Sequence, residues 1–71
     1  MVQLEKLKII IKESGIPMTV IAKRSNIKRE TLYNRLNGIG DFTASEIVGL
    51  KRTLKLTVKD IENIFLHDKL N

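Results

Sequence analysis

Apolar residues recur along this chain at intervals of three and four, and each recurrence is closed by a residue that ends a helix. Leu4, Leu7, Ile10 and Ile11 fall on one face of a predicted first helix. Gly15 stops it where a left-handed residue is needed. Pro17 suits the first turn of a second helix, where its missing N–H has no partner to lose. Val20, Ile21 and Ala22 supply that helix with an apolar patch, and it ends near Ser25-Asn26. A third helix is predicted from about Lys28 to Asn37, with Leu32 and Leu36 inward and Gly38 closing it. Thr43-Ala44-Ser45-Glu46 reads as a capping box, in which hydroxyl and carboxylate each satisfy an orphaned N–H. Ile47, Leu50 and Leu54 carry the fourth helix inward. Thr57 caps a fifth, with Ile61, Ile64 and Phe65 at helical spacing. No segment alternates with period two for long enough to be a strand. The expectation is an all-α bundle of about five short helices.

Seventy-one residues predict one domain over 1–71, close to the lower size limit of independent folding. Domains this small often need a disulfide, a metal or a partner subunit. With no cysteine and one histidine, His67, neither a disulfide nor a zinc site is expected, so self-association becomes a live expectation. The longest aliphatic run, Ile9-Ile10-Ile11, falls far short of the ~20 apolar residues of a membrane helix, and no segment reads as a signal peptide. A cytoplasmic location is expected, with no membrane partner.

The net charge of +5 matters less than where it lies. Residues 23–35 hold Lys23, Arg24, Lys28, Arg29 and Arg35 against a single acid, Glu30, so four of the five net charges fall within this segment. Such a concentration suits a phosphate-contacting face, although charge runs often do no more than solvate a helix.

That segment also carries the most specific spacing in the chain. Two helices that cross closely at a tight turn need a small residue in the first helix, and Ala22 provides it. The turn needs a residue that tolerates positive φ, and Asn26 does so at modest cost. An apolar plug must follow the turn and another must sit in the second helix; these are Ile27 and Leu32. All four requirements are met, which predicts a helix-turn-helix over about 17–37.

The segment from Gly15-Ile16-Pro17-Met18-Thr19-Val20-Ile21-Ala22 through Thr31-Leu32-Tyr33-Asn34-Arg35-Leu36-Asn37-Gly38 resembles the Cro/repressor-type helix-turn-helix family of temperate phages and bacteria. The segment from Phe42 through Thr57 also resembles that family's fourth helix and the turn after it, and the likeness runs over about residues 4–65. Asn26 stands where the family usually has glycine, and Lys28 where serine or threonine often caps the recognition helix. The resemblance implies a repressor-like fold whose third helix enters the major groove of operator DNA. With Leu32 and Leu36 inward, Lys28, Arg29, Glu30, Tyr33 and Asn34 become candidates for base contact. Arg29 suits the O6/N7 pair of guanine, and Asn34 an adenine. Glu30 suits the amino group of cytosine or, with slight preference, a neighbouring cation within the protein. Tyr33 can equally lean on the domain surface. Thr19, Lys23, Lys28 and Arg35 are the candidates for phosphate contact, which positions a protein without reading sequence. A homodimer would have to form through the domain itself, with Ile61, Ile64, Phe65, Leu66 and Leu70 as candidates unless they complete the monomer core.

Other chemistry finds little support. Ser14, Ser25 and Ser45 have no histidine–acid set at workable spacing, and Gly38 and Gly40 lack the strand and lysine of a phosphate-binding loop. Neither an enzyme nor a cofactor is expected. The alternative to an operator-binding regulator is an antirepressor or modulator that acts by binding a phage repressor protein, since this fold alone does not establish DNA binding.

Overall fold

The computed structural model of the chain describes residues 2–66, and these form an all-α globule of five helices. They are α1 (Leu4–Ser14), α2 (Met18–Arg24), α3 (Arg29–Leu36), α4 (Ala44–Leu54) and α5 (Val58–Phe65). The core is the inward set of every helix: Leu7 and Ile11, Ile21 and Ala22, Leu32 and Leu36, Leu50, and Ile64 and Phe65, with Ile27 and Leu56 added from turns. Phe42 closes one end by setting its ring edge-on to Phe65, with centroids 5.4 Å apart. The N–H of Gln3 donates to the carbonyl of Ile64 at 2.7 Å, tying the start of α1 to the end of α5. No helix among the described residues is long and apolar enough to cross a membrane.

The local signals act where they stand. Gly15 is left-handed at φ 70° and ends α1. Thr43 with Glu46, and Thr57 with Asp60, form complete capping boxes at the starts of α4 and α5. Two boundaries differ by one residue from expectation. Lys28 and Pro17 both have extended ψ, 138° and 146°, and so precede their helices as N-caps instead of opening the first turn. Neither side chain has an oxygen to accept a helical N–H, so these caps make no side-chain hydrogen bond. The end of α4 is different again. Lys55, not a glycine, takes the left-handed position there at φ 55°.

Candidate nucleic-acid interface

The turn between α2 and α3 is built from its backbone. The N–H of Ser25 continues the helix by donating to the carbonyl of Ile21 at 2.9 Å. Asn26 then turns left-handed at φ 57°, and its N–H reaches the Lys23 carbonyl at 3.2 Å. Reversal of the chain lets the Ile27 N–H return to the Ala22 carbonyl at 2.9 Å, and the isoleucine side chain drops into the core. Ala22 is buried in the core, and α2 and α3 pack against each other.

Because Leu32 and Leu36 face inward, the opposite side of α3 faces water. Lys28, Arg29, Glu30 and Tyr33 are all exposed there, Tyr33 at 46%. Asn34 is half-buried at the edge of this face, as is Thr31. The intramolecular pairing favoured for Glu30 does not form among the described residues. Thr19 and Lys23 are exposed on α2. A shallow depression beside the turn is lined by Ala22, Lys23, Asn26, Ile27 and Lys28, so two of the candidate cations flank the crossing point.

Arg35 stands apart from the other phosphate candidates. Its Nε donates to Glu46 Oε1 at 3.4 Å and its Nη1 to the Ile39 carbonyl at 3.3 Å. The same Glu46 oxygen accepts the Thr43 N–H at 3.0 Å in the capping box of α4. The guanidinium therefore joins the end of α3 to the start of α4. The dimer candidates need a similar correction. Ile64 and Phe65 lie in the core because the inward stripe of α5 has the rest of the bundle to cover it. Ile61 and Leu66 are half-buried, and Leu70, like His67, lies outside the described residues.

Sequence reasoning passed over the far end of α4. Gly49 packs so closely on α2 that a Cβ there would run into the carbonyl of Ser25. The buried hydroxyl of Ser25 donates to Thr53 Oγ1 at 2.9 Å, and Arg52 Nη2 donates to the Arg24 carbonyl at 3.0 Å. The available signal was Gly49 itself, since a glycine inside a helical pattern usually has a packing reason. No buried side-chain nitrogen or oxygen is left unpaired, and no cluster of metal-ligating side chains occurs, among the described residues. No family model matches the chain, and neither does any curated protein or solved structure.

Proposed function

We propose that this protein is a sequence-specific DNA-binding regulator of the Cro/repressor type, acting on operator DNA from the cytoplasm. The observation that carries the reading is the exposed first turn of α3. Lys28 and Arg29 stand in water there, on a helix backed by the buried Ile27 and Leu32 and packed against α2. The major groove admits one helix, and the N-terminal residues of such a helix meet the base edges. Arg29 then reads guanine, Asn34 reads adenine from the edge of the face, and Glu30, with no ion-pair partner among the described residues, accepts from cytosine. Thr19, Lys23 and Lys28 hold phosphates; Arg35 leaves that set because Glu46 and Ile39 retain it. A dimer would use the outer side of α5, where Ile61 and Leu66 remain partly open and Val58 is 67% exposed.

The test is selection from a pool of randomised duplexes, followed by titration of the winner at fixed salt. Enrichment of a defined sequence with guanine among its invariant positions is expected; a protein that enriches none overturns the reading. A second reading, an antirepressor that binds a repressor protein, draws on the exposed valines Val48 and Val58. It predicts a mobility shift of operator DNA that changes only when the repressor is also present.

A further inference from the structure

A second basic segment, as charged as the first, lies in the chain. Residues 47–59 hold Lys51, Arg52, Lys55 and Lys59 and no acid, whereas outside this segment and 23–35 acids outnumber bases seven to four. Far apart in sequence, the two segments meet in the fold, because Arg52 donates to the carbonyl of Arg24, the last residue of α2. From Arg24 to Lys28 the chain advances four residues, which span at most ~15 Å. Arg52 therefore lies against the end of α2 beside Arg24, one short turn along the chain from Lys28 and Arg29. Lys51, Arg52 and Lys55 are all exposed, and none is ion-paired among the described residues. Lys55 adds an independent sign. It occupies a left-handed position, φ 55°, that glycine would take without steric cost. A residue kept in an unfavourable conformation is a reason to ask what its side chain does.

We infer that Lys51, Arg52 and Lys55, at the end of α4, extend the DNA-contacting surface and grip the duplex backbone flanking the bases that α3 reads. The inference rests on the reading of α3 as a recognition helix. Its partner is set by charge: exposed cations joined through Arg24 to the segment that carries Lys28 and Arg29 complement a row of phosphates, and each phosphate neutralised steepens the salt dependence of binding by ~0.9 on a log–log plot. The bland reading is that cations at a helix C-terminus merely offset its dipole. That role would affect melting and leave salt dependence alone.

The experiment compares wild type with Lys51→Gln/Lys55→Gln, and with the same pair plus Arg52→Gln, on a selected duplex and on a scrambled one over a range of salt. The double variant keeps the Arg52–Arg24 bond, so it separates charge from packing; melting curves by circular dichroism accompany both. Expected are slopes shallower by about two for the double variant and about three for the triple, with equal losses on both duplexes. Unchanged slopes in folded variants overturn the inference while leaving the reading of α3 intact. A wild type that prefers no sequence, yet loses slope in the variants, overturns the reading of α3 and leaves a polyanion-binding surface.

Discussion

The hydroxyls of Ser25 and Thr53 lie 2.9 Å apart, and the carbonyl of the same serine occupies the space that a side chain at Gly49 would need. The end of α2 is thus pressed against α4 at one backbone and one side-chain contact. Helix propensity alone says that Gly49→Ala should stabilise by about 1 kcal/mol. Packing says the reverse, because a backbone carbonyl cannot swing aside as a flexible side chain can. We expect packing to win, with a net loss of roughly 1–3 kcal/mol and a lower melting temperature. A variant that melted higher than wild type would show that α2 and α4 can separate without cost.

Arg29→Ala and Leu32→Ala should fail for opposite reasons. Arg29 is exposed, so its removal should weaken binding to the selected duplex by about 1–3 kcal/mol while the melt stays where it was. Leu32 is fully buried, and its truncation should cost about 2–5 kcal/mol of a stability near 5 kcal/mol. Melting curves measured beside binding isotherms separate the two. An unshifted melt for Leu32→Ala would put the register of α3 in error.

Arg35 provides a contrast within the basic segment. Its side chain is 22% exposed and holds Glu46, itself 15% exposed. Arg35→Gln should lower stability by about 1–2 kcal/mol, through loss of the link between α3 and α4. It should leave the salt slope of DNA binding unchanged. Lys23→Gln and Lys28→Gln should do the opposite, each making the slope shallower by ~0.9 with little effect on melting. A slope that moved with Arg35 as far as with Lys28 would return Arg35 to the phosphate set.

Lys55→Gly sets stability against binding at one position. Relief of the left-handed strain, about 1–2 kcal/mol, exceeds the roughly 0.5–1 kcal/mol of added freedom in the unfolded chain. The variant should therefore melt slightly higher than wild type while binding DNA with a shallower salt slope. A lower melting temperature would mean that the lysine stem packs usefully where it lies.

Features written in neighbouring residues were legible before any coordinates. Gly15, Asn26, Thr43 and Thr57 each act on groups within a few residues, so type and spacing were enough to place them. The outward face of α3 followed from Leu32 and Leu36 by helical geometry. What escaped depends on partners distant in sequence. Nothing near Arg35 says that Glu46, eleven residues on, will hold it. Nothing near Ile64 or Phe65 says whether the bundle or a second subunit covers them. Arg24 and Arg52 read as unrelated charges until the fold sets one against the backbone of the other.

Helix α4 touches both members of the motif at their C-terminal ends. Glu46 at its start holds Arg35 of α3, while Gly49, Arg52 and Thr53 toward its end hold the last residues of α2. The angle between α2 and α3, which pack on each other and are joined by a turn whose backbone is already hydrogen-bonded, is therefore braced by a third member, as a strut braces two arms. A braced angle cannot open to suit an ill-fitting groove. If this domain reads DNA, the adjustment on binding falls to the duplex, and sequences that bend or narrow easily should be favoured even at base pairs no side chain reaches.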